Sequence, residues 1–278
     1  MADVALQKAA PSSTRGGPIP RRRRRNGTRL ISLATVAVLL LLWGLVSNLG
    51  LVPSLFLPTP QAVLGKLVTT ASTGFADATL LQHLAASLGR VFAALALALV
   101  VAIPVGIAIG TSRVARGILD PLIEFYRPIP PLAYLPLIVI WFGIGETSKV
   151  LVIFLAIFAP IAISTAAGVR AVPSDRLRAA RSLGATRAQL LRHVILPNAL
   201  PEILTGVRIG LGVGWSTLVA AELVAATSGL GFMIQSAAQF LVTDVVVLGI
   251  LVIAAVAFLL EVLLRLLQRR LTPWHGRG

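Results

Sequence analysis

The three histidines, His83, His193 and His275, lie far apart in the chain and show no metal-ligand spacing. Cysteine is absent, which excludes a disulfide framework, thiolate metal sites and a cysteine nucleophile. No GxxxxGK[ST] phosphate loop occurs, so the chain cannot hydrolyse ATP by that route. Serine and histidine fall in no triad-like arrangement. No apolar run holds the two carboxylates and histidine that an intramembrane metalloprotease needs. The sequence therefore predicts no catalytic residue, no metal and no cofactor. The polar residues that stand out are isolated charges within apolar runs. Glu222 has no partner nearby in sequence and is a candidate pathway or gate residue, the alternative being an interfacial carboxylate in water. Arg208 is placed to snorkel. Glu261 and Arg265, four apart, and Glu124 and Arg127, three apart, are spaced to pair on helix faces as structural contacts.

The elements that must hold these residues are membrane helices. Of 278 residues, 56% are apolar and 13% charged, and the mean hydropathy is +0.90. Soluble domains have about 25% charged residues and cannot hide this much apolar surface. Six runs are long enough to cross about 30 Å of hydrocarbon as helices: residues 30–49, 91–110, 121–142, 150–169, 203–221 and 245–264. The third is the least regular, because Pro128, Pro130, Pro131 and Pro136 interrupt it. Such prolines are tolerated where the freed backbone groups face protein or water, as in a broken helix beside a translocation path. Residues 1–29 are rich in Pro, Ser, Gly and Arg and read as a disordered basic tail ahead of the membrane domain, residues 30–278.

The net charge of +15 suggests nucleic acid or an anionic membrane, and its placement decides. Twenty of the 25 Lys and Arg fall in the tail, residues 111–120, residues 170–202 and the C-terminus. Lys66, Arg90 and Lys149 are assigned to the opposite side. This split places both termini in the cytoplasm. Basic residues that flank spans answer to anionic lipid rather than DNA.

Residues 170–202 are long for a connection between spans. Ser174 is placed to cap a helix, and Leu177, Ala180 and Leu183 form an apolar stripe. Gly184 sits at a C-cap position, Thr186 to Gln189 match a capping box, and Pro197 ends the second helix. A helix-turn-helix DNA-binding unit shares this outline, but spans close in on both sides and leave no third helix for a soluble core. A surface helix resting on lipid and a docking element for a cytoplasmic partner are the other readings. In the spans, Gly206, Gly210 and Gly214 repeat every four residues, as do Gly106 and Gly110. Such rows allow close helix approach, either within one protomer or on a moving or dimer-facing surface.

Arg178-Ala179-Ala180, then Gly184, then Val194-Ile195-Leu196-Pro197 meets every spacing of the EAA loop of ABC importer permeases. The departure is Arg178, where that family often has Glu. Residues 199–222, 127–136, 141–149 and 229–236 resemble the taurine, sulfonate and nitrate group. The segments 77–87 and 271–276 resemble its taurine branch. The resemblance spans about residues 53–276. It implies an all-α membrane protein with the type I ABC importer permease fold, and a cytoplasmic coupling helix-turn-helix. It also implies ATPase docking through Arg178, Ala179, Ala180, Gly184, Ala185, Leu196 and Pro197. The implied partners are two copies of an ATP-binding subunit, a periplasmic substrate-binding protein, a second copy of the chain and the lipid bilayer, with no nucleic acid. The implied site of action is the bacterial inner membrane, and the implied activity is import of taurine or a related sulfonate by alternating access. Siblings for nitrate, aliphatic sulfonates or thiamine precursors are the nearest alternatives. A membrane-embedded enzyme and a membrane-anchored DNA-binding regulator are the alternatives of other classes.

Overall fold

The computed structural model describes residues 25–273, and the disorder expected for residues 1–24 lies outside them. The described residues form helices: α1 (Arg25–Asn48), α2 (Pro60–Ser72), α3 (Leu80–Thr111), α4 (Arg113–Tyr126), α5 (Pro131–Phe142), α6 (Glu146–Arg170), α7 (Ser174–Ser182), α8 (Arg187–Gln189), α9 (Leu196–Ala225), α10 (Leu230–Gln239) and α11 (Thr243–Leu271). The basic tail is shorter than its composition implied, because α1 begins at Arg25.

Five helical stretches are long and apolar enough to cross a bilayer: Leu30–Asn48, Leu80–Thr111, Glu146–Arg170, Arg187–Val224 and Thr243–Leu271. The expected span 121–142 is not one straight helix. It is divided between α4 and α5, which meet at 101°. Arg127 to Pro130 form the break, since prolines at 128, 130 and 131 supply no N–H to a continuing ladder. Counting the bent pair as one span brings the total to six.

The core is a three-helix slab in which α6 packs between α3 and α9. Ile153, Ile157, Ile161 and Ala162 of α6 are inaccessible, as are Val91, Ala94, Ala98 and Ala102 of α3. Glycine makes this approach possible. A Cβ on Gly106 would sit 2.5 Å from the Ala162 carbonyl oxygen, and one on Gly110 would sit 2.5 Å from Val169 Cγ1. On the other side, a Cβ on Gly206 would lie 2.6 Å from Ser164 Cβ and one on Gly214 2.5 Å from Ile157 Cγ1. At Gly210 the nearest atom is the Ile157 carbonyl oxygen at 3.1 Å. Gly212 meets nothing within 4 Å. Leu at Gly206 or Gly214 is therefore expected to cost at least the 1–3 kcal/mol typical of overpacking, about, read as a lower melting temperature in detergent. Gly212→Leu should melt with the wild type; equal melting for all three variants would refute the close contact.

Candidate functional site

Two regions of the fold concentrate polar groups. They lie at opposite ends of the slab.

The first is the α6–α9 connection. Helix α7 starts after Pro173, so Ser174 is its first residue and makes no cap; Pro173 occupies the cap position. Gly184 has φ of +82°, the left-handed conformation that lets the chain reverse. The Ala185 N–H donates to the Ala180 carbonyl and the Gly184 N–H to the Arg181 carbonyl, closing the turn. The capping box forms as expected, with the Gln189 N–H donating to Thr186 Oγ1 and the Thr186 N–H to Gln189 Oε1.

Pro197 does not end the second helix. Residues Leu190–Ile195 widen into a π-helical turn, and the Leu196 N–H reaches back to the Leu191 carbonyl. Pro197 then falls in the first turn of α9, where its missing donor is not needed. The loop is thereby continuous with a core helix, and Arg176 donates to Asn198 Oδ1 to tie α7 to that helix.

Of the docking residues named by the resemblance, Arg178, Ala179 and Gly184 are exposed, while Ala180, Ala185, Leu196 and Pro197 are half-buried. Arg178 donates to Asp175 Oδ1 at 2.5 Å and to Ser174 Oγ at 3.4 Å, with most of its side chain in the open. Leu183 is 89% exposed beside Gly184, an apolar knob on an otherwise charged loop.

The second region is a buried ion cluster at the far end of α3. His83, Ser87 and Arg90 follow one another at helical spacing and are all buried on one face. The charge split puts Arg90 on the side opposite the cytoplasm, just before the span 91–110; α3 starts earlier, at Leu80, and includes it. Its Nε and Nη2 donate to the two oxygens of Glu146 at 2.6 and 2.8 Å. Its Nη1 donates to Glu222 Oε1 at 2.6 Å and to the Ser228 carbonyl at 2.7 Å. Lys149, also assigned outside, is buried and donates to Glu146 Oε1 at 2.9 Å. Two buried cations thus face two carboxylates, Glu222 wholly buried and Glu146 62% exposed at the rim, so that each buried charge of the cluster is paired.

Glu222 is not a carboxylate in water. Its side chain has no exposure, and it accepts further bonds from Ser87 Oγ at 2.8 Å and from the Gly231 N–H at 2.8 Å. The adjacent Leu230 N–H donates to Ser87 Oγ, and the Gly229 N–H donates to His83 Nδ1. With Nδ1 accepting, His83 Nε2 donates to the Phe75 carbonyl at 2.9 Å. Three consecutive N–H groups at the start of α10, which a helix leaves without internal partners, are therefore all satisfied by α3 and α9. Gly229, at φ +125°, has no room for a side chain, since a Cβ would strike the Glu222 carboxyl and Arg90. The cluster pins the α9–α10 reversal to α3 and α6.

Sequence reading missed this partner of Glu222 because Arg90 is 132 positions away. The pairing expected between Glu124 and Arg127 does not form among the described residues, although Arg127 at the end of α4 keeps helical geometry. Glu261 and Arg265 do pair, at 2.7 Å, and Arg208 joins them at 3.3 Å rather than extending freely.

No group of three or more His, Asp or Glu residues able to hold a metal occurs among the described residues. The helix pair that could suggest DNA binding is fused to a core helix through its π turn and carries no third helix.

Comparison with known proteins agrees with this architecture. The chain is 69% identical over 247 residues to the taurine transport system permease protein TauC of Escherichia coli (strain K12), covering 88% of this chain and 90% of that one. It is 37% identical to the putative aliphatic sulfonates transport permease protein SsuC of the same strain, covering 84% and 87%. The fold resembles a chain of the MetNI methionine ABC transporter in an inward-facing form, with a TM-score of 0.56 and 22% identity, over 67% of this chain and 94% of that one. Residues 102–273, which hold the whole slab from mid-α3 and the α6–α9 connection, match the binding-protein-dependent transport system inner membrane component, and the chain belongs to that family.

Proposed function

We propose that this chain is the membrane subunit of an ATP-driven importer of taurine, acting as a dimer of two copies. The observation that carries the reading is the 69% identity to a taurine permease across nearly the full length of both chains. The chain supplies the path and performs no bond chemistry; ATP is hydrolysed by two copies of a separate subunit on the cytoplasmic side. A substrate-binding protein delivers the ligand at the opposite face, where the ion cluster lies.

The geometry supports a lever. Residues 174–195 are the outermost part of the loop end, and exposed Leu183 and Gly184 are the parts a partner could grip. Because the π turn joins the loop to α9 without a break, a push on α7 is passed to α9, and the close glycine contacts pass it to α6 and α3. Bistable packing of this kind turns small shifts into rigid-body motion. The Arg90 cluster keeps α9, α10, α3 and α6 moving together at the far end.

Uptake of radiolabelled taurine tests the reading. Cells lacking their own importer, and given this chain with its ATPase and binding protein, are expected to accumulate taurine only when ATP is available. Uptake of aliphatic sulfonates but not taurine would overturn the substrate and favour the sibling reading. The orientation is tested separately: a reporter inserted after Gly184 should be active only as a cytoplasmic fusion, and periplasmic activity would refute it.

A further inference from the structure

A half-open cavity of about 240 Å³ lies between α9 and α11, lined by Arg208, Gly212, Trp215, Ser216 and Glu261 among others. We infer that this cavity is a transient binding site for a small aminosulfonate zwitterion inside the membrane, with Arg208 holding the sulfonate and Trp215 facing the ammonium. The inference rests on the importer reading and names a place on the path.

Charge is the first argument. Arg208 and Glu261 lie within apolar runs, yet their side chains are 39% and 33% exposed; Arg265 follows at the end of the last span and is 55% exposed. Charges at such positions face a bundle interior or a water-filled cavity rather than lipid. Two guanidinium groups share one carboxylate: Glu261 Oε1 accepts from Arg265 at 2.7 Å and lies 3.3 Å from Arg208 Nε. The neighbouring polar pair, Thr205 and Gln268, is neutral and bonds to itself. The trio therefore carries one uncompensated positive charge beside the cavity. The Arg90 cluster at the other end of the slab is balanced, two cations against two carboxylates.

Shape is the second argument. The volume is below the 300–1,000 Å³ common for drug-sized ligands, about, and suits a molecule of a few heavy atoms. Gly212 keeps the wall open, as nothing lies within 4 Å of where its Cβ would be. Ser216, one turn on, is exposed, and its hydroxyl donates to the Gly212 carbonyl.

Chemical complementarity is the third. A sulfonate is an anion throughout the physiological pH range, and the planar guanidinium of Arg can donate two parallel bonds to two of its oxygens. An ammonium is attracted to the face of an indole. Trp215 lines the wall, so the ammonium end is matched by its indole ring, while its Nε1 hydrogen, which has no acceptor among the described residues, is a donor free for a sulfonate oxygen.

The absence of cysteine permits a direct test. In the complete transporter in proteoliposomes, a single cysteine at Ser216 (Ser216→Cys) is treated with an anionic sulfonatoethyl thiosulfonate reagent or its cationic trimethylammonium counterpart. The anionic reagent is expected to react about tenfold faster, the effect of one charge-assisted hydrogen bond. Taurine should slow it, and Arg208→Gln should abolish the preference while leaving the melting temperature unchanged. Gly212→Leu should block uptake at normal stability. Absence of labelling would place this face against lipid or a second copy. Equal labelling by both reagents, unaffected by taurine, would make the trio a structural clip; either result overturns the inference. If the wild-type transporter imports taurine and the cysteine is indifferent to it, the inference alone fails; if the wild type imports no taurine, the importer reading fails first.

Discussion

Arg90→Ala is expected to prevent the protein from accumulating in the membrane. The substitution leaves Glu222 buried with no exposure and without its cation, and removes both bonds to Glu146. Breaking one side of a buried pair costs about 3–5 kcal/mol, because the remaining charge is left uncompensated. Net stabilities of folded domains are about 5–15 kcal/mol, so this is a large fraction of the whole. The loss also reaches the start of α10, which depends on Glu222 and Ser87 for its N–H groups. Removing both charges is expected to do less harm than removing one. Arg90→Met combined with Glu222→Gln should recover part of the lost yield, since the neutral amide can still accept the Gly231 N–H. The measurement is protein yield and melting temperature in detergent. Wild-type melting of Arg90→Ala would show that the cluster does not hold the α9–α10 reversal.

Gly184→Val is expected to leave the protein folded in the membrane and abolish uptake. Two effects separate cleanly here. A left-handed φ of +82° costs a residue with a Cβ about 1–2 kcal/mol, a loss that a domain of this size survives. Within the chain, nothing lies within 4 Å of where the new Cβ would be. A β-branched side chain therefore meets no obstacle unless a partner covers the turn. Gly184→Ala carries most of the same backbone strain with far less bulk. The prediction is retained partial uptake for Gly184→Ala and none for Gly184→Val, at equal abundance and with loss of substrate-stimulated ATP hydrolysis. Full uptake by the valine variant would remove the docking role proposed for the loop.

Much of this protein is legible in one dimension because its strongest signals are local. Apolar runs of span length, Thr186 and Gln189 three apart, and a glycine after the apolar stripe of α7 each report on a few neighbouring residues. Helix formation and left-handed turns are decided at that range. The four-residue glycine rows were legible too, although the sequence alone left open what they pack against; the facing surface is α6, which lies elsewhere in the chain.

Three features required the tertiary structure. Pro197 looked like a stop because prolines usually end helices, but a π turn upstream absorbed it and joined the loop to α9. The prolines of the run 121–142 pointed to a broken helix, but the size of the bend, 101°, and the way it divides the run between α4 and α5 came only from the structure. Arg90 and Glu222 looked like solitary charges near the membrane surface. Helical periodicity finds partners three or four positions away, whereas the partner of each is 132 positions distant and was brought within 2.6 Å only by the packing of α3 and α9 on α6. The chain alone thus determined the apolar spans and the Gly184 turn, while the short helices α2 and α10 and the continuity through Pro197 did not show in it. Which charges meet was decided by tertiary packing, because that depends on distances between helices that no local spacing encodes.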